Sequence, residues 1–168
     1  MNRLVSTEFD LDWKIRDYHT LVRSERQDIF QIREAVFIIE QACDYQDIDS
    51  LDEKCSHVIG RDNKGVLVAY ARILPPGLKG LNTSFGRVLV IKNHRGRKIG
   101  RKLVEICIDE CRKKYLNSEC HISAQTQFID FYKSFGFKTK GTPYLEDGIS
   151  HIDMTLLLNP ITNKDEIL

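Results

Sequence analysis

The most constraining stretch of this 168-residue chain runs from Arg87 to about Lys114. Arg87-Val88-Leu89-Val90-Ile91 is β-branched and apolar, the composition of a short buried strand. A polar loop follows. Then Ile99, Leu103, Val104, Ile106, Cys107, Ile108 and Cys111 recur at helical spacing and form a broad apolar face. A strand that feeds a helix through so short a loop is half of a crossover, which demands a parallel strand on the far side and a sheet covered by helices.

The charge in this stretch narrows the reading. Lys92 to Lys102 contains six Lys or Arg residues and no acid, several of them in the first helical turns. Cations are disfavoured there, because the free N–H groups and the macrodipole already place positive charge at that end. An anion would offset the repulsion, and Gly96 and Gly100 let the backbone turn its N–H groups onto phosphate oxygens. The alternative is a basic, solvated helix cap with incidental glycines. Neither Gly-x-x-x-x-Gly-Lys-Ser/Thr nor Gly-x-Gly-x-x-Gly is present.

The rest of the composition excludes several classes. The length suits one domain with its core at about residues 10–158, and 42% hydrophobic with 29% charged residues is ordinary for a soluble protein. A net charge of +1 argues against nucleic-acid binding through a globally basic surface. The five cysteines lack Cys-x-x-Cys spacing, so no metal site is expected. Cys107 and Cys111 sit one turn apart on the apolar face and read as core, in a reducing, cytoplasmic setting. No signal pattern opens the chain, and the longest apolar run, Val66 to Ala71, is too short to span a bilayer.

In chain order, Met1 to Thr7 carries little pattern and Asp12 to Tyr18 reads as a strand. Ser24 and Gln27 form a capping-box pattern opening a helix to about Gln41. Arg33 and Glu40 share a face of that helix, either as a cleft wall or as a rim salt bridge. Asp44 to Glu53 holds five acids in ten residues and fails the calcium-loop pattern. It reads as a solvated loop or as an acidic mouth for a cationic substrate. His57–Gly60 and Gly65–Leu74 read as strands around a turn. Cys120 to Gln125 is another strand, with His121 on its polar side rather than catalytic. Gln127 to Phe135 is a short helix ended by Gly136. Gly141 to Gly148 reads as turns, and Ile152 to Leu158 as a final alternating strand. The expected order is β, α, β, β, β, α, β, α, β.

Two separated motifs now point to a family. Arg95-Gly96-Arg97-Lys98-Ile99-Gly100 resembles the Gln/Arg-x-x-Gly-x-Gly/Ala signature of the GNAT superfamily of N-acetyltransferases, with Lys98 where Gly is usual. Phe131-Tyr132-Lys133-Ser134-Phe135-Gly136-Phe137 looks like the Phe-Tyr-x-x-x-Gly-Phe motif of the same enzymes. Phe37–Gln41, Tyr45–Asp49, Ala69–Arg72 and Glu146–His151 resemble the ElaA-like branch.

The resemblance implies an α/β fold: a GNAT-like splayed mixed β-sheet flanked by helices in a single domain, binding acetyl-CoA between two parallel strands, Arg87–Ile91 and Glu119–Ala124. The backbone at Leu89 and Val90 would bond the pantetheine. The N–H groups of Arg95, Gly96, Arg97, Lys98, Ile99, Gly100 and Arg101 would hold the pyrophosphate. Gln125 stands where many members contact the cofactor through Asn. Tyr132 would protonate the leaving thiolate. Glu40, His57 or a water chain would take the amine proton. Glu40, Asp47 and Asp49 would guide a cationic amine acceptor. The implied activity is acetyl-CoA-dependent acetylation of a primary amine on a small molecule or protein, without metal, nucleic acid or membrane, and with a homodimer left open. A non-catalytic acyl-CoA-binding module and an acyl-homoserine-lactone-synthase-like enzyme are the alternatives. The latter family has a Trp soon after the Phe at position 37, and here the one Trp is Trp13.

Overall fold

The computed structural model describes residues 11–160; Met1 to Thr7 and the tail beyond Pro160 lie outside them. The strands are β1 (Asp12–Asp17), β2 (Ser56–Arg61), β3 (Leu67–Leu74), β4 (Ser84–Val90), β5 (Glu119–Gln125), β6 (Lys138–Glu146) and β7 (Ile149–Leu157). Helix α1 (Arg23–Arg33) continues into a π-helical segment, Glu34–Glu40, and α2 (Ile99–Lys114) and α3 (Ile129–Lys133) follow. The strands form two antiparallel sheets, ordered β1-β2-β3-β4 and β5-β7-β6.

One parallel bridge, Thr83 to Cys120, joins the two sheets, and the His121 N–H donates to the Thr83 carbonyl at 2.9 Å. Beyond it β4 and β5 part. The cause lies in β4, where Arg87 adopts φ 53° and the register against β3 slips between Tyr70 and Arg72. An extra residue in one strand bends it away from its neighbour. At the far end the Ile91 N–H donates to Val68 at 3.0 Å. By strand alternation the amide and carbonyl of Val90 therefore point the other way, into the gap.

The sheet is covered on both faces. Leu103, Val104, Cys107 and Cys111 of α2 are fully buried on one side, with Val68, Ala71, Phe85 and Ile122 in the same cluster. Ile29, Ile32, Val36 and Phe37 of α1 and its π extension pack on Ile59, Tyr70 and Leu89 on the other. All of β3 is consequently buried, which explains its nearly continuous apolar run.

Three local expectations are corrected. Gly141 to Gly148 is mostly strand: β6 pairs with β7 from Lys138 to Glu146, and Asp147 and Gly148 alone make the turn, both with positive φ. Nearly every β6 residue is exposed, so no alternation of apolar residues announced it. Ser24 lies inside α1. The helix starts one residue earlier, with the Val22 N–H donating to the Glu25 carboxylate at 3.0 Å. The helix also does not stay α-helical to Gln41. The N–H groups of Gln41 and Cys43 reach back five residues, to Val36 and Ile38, both at 3.3 Å.

Trp13 on the edge strand lies against Gly60, where a Cβ would sit 2.7 Å from the ring Cζ3. Gly60→Ala should cost about 1–3 kcal/mol in denaturant unfolding. Gly80→Ala, where a Cβ meets nothing within 4 Å, should change stability little.

Candidate active site

Helix α2 starts beside the open end of the gap. A Cβ at Gly100 would meet Val90 Cγ2 at 3.9 Å and nothing closer, and one at Gly96 would meet nothing within 4 Å. The loop reverses through Gly96 at φ 76° and Lys98 at φ 61°. Lys98, the residue standing in place of the motif glycine, is the N-cap. No side chain caps this helix, and its first turn holds no acid. The first N–H groups of α2 thus face out unpaired by the helix, among basic residues, with room for close approach. These residues fit a pyrophosphate.

Two arginines brace the loop. Arg101 donates to Ser134 Oγ at 2.6 Å and lies 4.5 Å over the Phe135 ring, tying α2 to the segment after α3. Arg95 donates through Nε to the Val90 carbonyl at 2.7 Å, and through Nη1 and Nη2 to both Glu40 oxygens at 2.6 and 3.0 Å. Its guanidinium therefore bridges the π-helical segment and the end of β4.

Tyr132 on α3 packs against Phe85, Phe131 and Phe137, at ring separations of 6.5, 5.2 and 5.9 Å. Burial raises its pKa, so the phenol is protonated at neutral pH. Gln125 ends β5, where its side-chain oxygen accepts from Gln127 at 2.9 Å.

Three of the five acids in the acidic segment, Asp47, Asp49 and Asp52, turn toward arginines, while Asp44 and Glu53 stay exposed. Arg33 is fully buried and donates to Asp47 Oδ2 at 2.8 Å, to the Asp47 carbonyl at 2.7 Å and to Asp52 Oδ1 at 2.7 Å. Arg72 of β3 donates to Asp52 Oδ1 at 2.8 Å and to both oxygens of Asp49 at 2.6 and 2.8 Å. Asp47 Oδ1 takes the Tyr45 hydroxyl at 2.9 Å and lies 2.5 Å from Arg87 Nε. Asp47 is 5% exposed, and both its carboxylate oxygens are engaged by the protein itself. Asp47 therefore belongs to an internal ion-pair network, which the half-buried Asp49 joins through Arg72.

The two candidate bases fare no better. His57 is 1% exposed, with Nδ1 2.8 Å from the Tyr70 hydroxyl and Nε2 3.0 Å from the Asp52 carbonyl. Burial lowers its pKa, and neither nitrogen is open to an amine. Glu40 is held below the usual carboxylate range by its hydrogen bonds from Arg95, which makes it a weaker base.

The structure adds a cluster that sequence reading passed over. A cavity of about 250 Å³ lies at the closed end of the gap, lined by Ser84 of β4, His121 and Ser123 of β5, Tyr144 and Glu146 of β6, and Asp153 of β7. Ser123 Oγ is 2.6 Å from the Tyr144 hydroxyl and 3.1 Å from Glu146, and Tyr144 donates to Asp153 at 2.9 Å. Cys43 donates to the Asp147 carbonyl at 3.2 Å, bringing the end of the π-helical segment against the β6–β7 turn. The polar alternation of His121, Ser123 and Gln125 was the available signal. It identified a face without showing what lay opposite.

Splayed strands and an anion-ready helix start are matched by the comparisons with known proteins. A family model for the acetyltransferase (GNAT) domain matches residues 25–158. The chain belongs to the GNAT superfamily. Within it the chain falls in the ElaA-like branch: protein ElaA of Escherichia coli is 37% identical over 146 residues, covering 86% of this chain and 95% of ElaA. A UPF0039 protein of Synechocystis is 38% identical over 151 residues, 90% of this chain and 98% of that protein. The crystal structure of an acyl-CoA N-acyltransferase from Pseudomonas aeruginosa superposes with a TM-score of 0.83 at 32% identity, covering 87% of this chain and 99% of that one. This GNAT protein is therefore an acyltransferase that uses an acyl-CoA co-substrate. Among the described residues no group of three or more His, Cys, Asp or Glu could hold a metal, and no helix is long and apolar enough to cross a membrane.

Removing Asp47 strips the buried Arg33 of a carboxylate and a geometry it cannot replace. Asp47→Ala should cost about 3–5 kcal/mol, read as a lowered denaturation midpoint at unchanged slope.

Proposed function

We propose that this enzyme transfers an acetyl group from acetyl-CoA to a primary amine of a small molecule or protein, and that its core works as one catalytic domain. The observation that carries the reading is the uncapped, acid-free start of α2 at the open end of the β4–β5 gap. Acetyl-CoA supplies a thioester carbonyl activated toward an amine. The N–H groups from Arg95 to Arg101 hold the pyrophosphate. The inward-facing edge of Val90 pairs with the pantetheine, in place of the strand that β5 does not provide. Arg95 releases the Val90 carbonyl as the pantetheine takes it. Backbone N–H groups beside the β4 bulge stabilise charge developing on the carbonyl oxygen. Tyr132 gives its proton to sulfur as negative charge builds there, since a phenol with a raised pKa is a donor only late in the step.

Gly100 separates this reading from a merely basic helix cap. Within the protein a methyl group at Gly100 touches only Val90 at ordinary contact distance, and alanine favours a helix. Gly100→Ala should therefore keep or raise the melting temperature while weakening CoA binding about tenfold or more in calorimetry. Equal affinity in the folded variant would remove the cradle.

Tyr132→Phe should lower kcat by roughly 100-fold with little change in CoA affinity, because the hydroxyl acts only in the transition state. Single-turnover kinetics measure it. A non-catalytic acyl-CoA-binding module would instead bind CoA and show no amine-dependent thiol release with either protein.

A further inference from the structure

The cavity between β4, β5 and the β6–β7 hairpin is one hydrogen atom short. Ser123 and Tyr144 own one hydroxyl hydrogen each, two in all. They stand in three hydrogen-bond contacts: Ser123 with Glu146 at 3.1 Å, Ser123 with Tyr144 at 2.6 Å, and Tyr144 with Asp153 at 2.9 Å. With both carboxylates ionised, one of the three contacts has no hydrogen to fill it. A proton on either carboxyl, or a donor brought by a ligand, completes the row. Within the row of Ser123, Tyr144, Glu146 and Asp153 acceptors outnumber hydrogens, with Lys79 3.9 Å from Glu146, whereas Asp47, Asp49 and Glu40 are directly matched by arginines.

We propose that this cavity seats the acceptor as a primary alkylammonium and that the Glu146–Ser123–Tyr144–Asp153 row takes its proton. The inference rests on the acetyl-transfer reading above. A cavity of about 250 Å³ is smaller than a typical drug-sized site of roughly 300 Å³ or more, so it holds the aminoalkyl end of an acceptor. Glu146 and Asp153 accept the ammonium hydrogens, and both are solvent-accessible enough to exchange protons afterwards.

The step balances. One N–H bond of the ammonium breaks, and its proton moves along the row to a carboxylate. The freed nitrogen pair forms the C–N bond to the acetyl carbonyl carbon. The C–S bond breaks, and sulfur takes its proton from Tyr132. A second N–H bond breaks as the tetrahedral intermediate collapses, and that proton returns through solvent to Tyr132, leaving the neutral amide N–H; the carboxyl gives its own proton to water, so that a single proton is released per turnover. Other titratable groups face the row. Lys79 lies 3.9 Å from Glu146, and His121 Nε2 lies 3.6 Å from Asp153. Lys140 stands opposite Asp153 in register, and His151 stacks on Tyr144 at 6.3 Å between centroids.

The test uses n-butylammonium and its neutral counterpart n-butanol, each titrated calorimetrically into the protein saturated with CoA. Butylammonium should bind at least tenfold more tightly than butanol, and Glu146→Gln combined with Asp153→Asn should erase that preference while CoA affinity stays unchanged. With acetyl-CoA and n-butylamine, Tyr144→Phe should lower kcat/KM about tenfold or more and move the acidic limb of its pH profile, with the KM for acetyl-CoA unaltered. Tyr144, Glu146 and Asp153 are partly exposed, so these variants fold. Equal binding of butylammonium and butanol, or a pH limb unmoved in Tyr144→Phe, overturns the proposal. Loss of CoA binding in wild type would instead sink the acetyl-transfer reading itself.

Discussion

The contact between Asp47 and Arg87 ties the distorted stretch of β4 to the segment that follows α1 and its π-helical extension. Arg87 is the residue at which β4 turns left-handed, at φ 53°. A non-glycine residue pays for that conformation with roughly 1–2 kcal/mol, and its side chain reaches Asp47 at 2.5 Å. The other oxygen of Asp47 is held by Arg33, buried at the end of α1. The distortion that opens the gap is thus anchored to the helix layer on the opposite face of the sheet. Arg72 and Asp52 extend the same network into β3. Such a cluster is stable because nearly every charge has partners, and it makes the removal of any one member costly.

Basic residues meet two opposite fates in this chain. Arg33 and Arg72 are taken out of water and neutralised by three aspartates. Lys98 and Lys102 sit at a helix start that lacks an acidic residue in its first turn. The first arrangement makes a rigid support, and the second makes a field for an anion. The protein is nearly neutral overall, at +1, so this sorting rather than net charge is what prepares it for a phosphate-bearing co-substrate.

Acidic residues are sorted the same way, and here the distinction was invisible in one dimension. Asp47, Asp49, Glu146 and Asp153 all read as loop or strand-face acids. Asp47 and Asp49 lie in a dense acidic segment and looked like the means of attracting a cation. Folding turns them to arginines that lie 14 to 40 residues away in the chain. Glu146 and Asp153, given no functional role in the sequence, come together across the β6–β7 hairpin through Tyr144 and Ser123 of β5. β6 itself was missed because a strand exposed on both faces carries no alternation of apolar residues.

The sequence by itself determined the features that depend on neighbours in the chain. The helical period of α2, the apolar run of β3, the alternation in β7 and the glycine-and-cation loop before α2 are all local, and their elements formed where the spacing required. The ordered motifs of the loop and of α3 likewise carried the family. Tertiary structure decided everything that depends on which charges meet. It placed His57 in a buried pair with Tyr70, turned Glu40 onto Arg95, and drew Asp47 and Asp52 of the acidic segment into the core. It also brought polar residues of four strands to one cavity. A carboxylate's role is set by whether a cation or only water and hydroxyls stand within about 3 Å of it, and sequence spacing does not encode that distance.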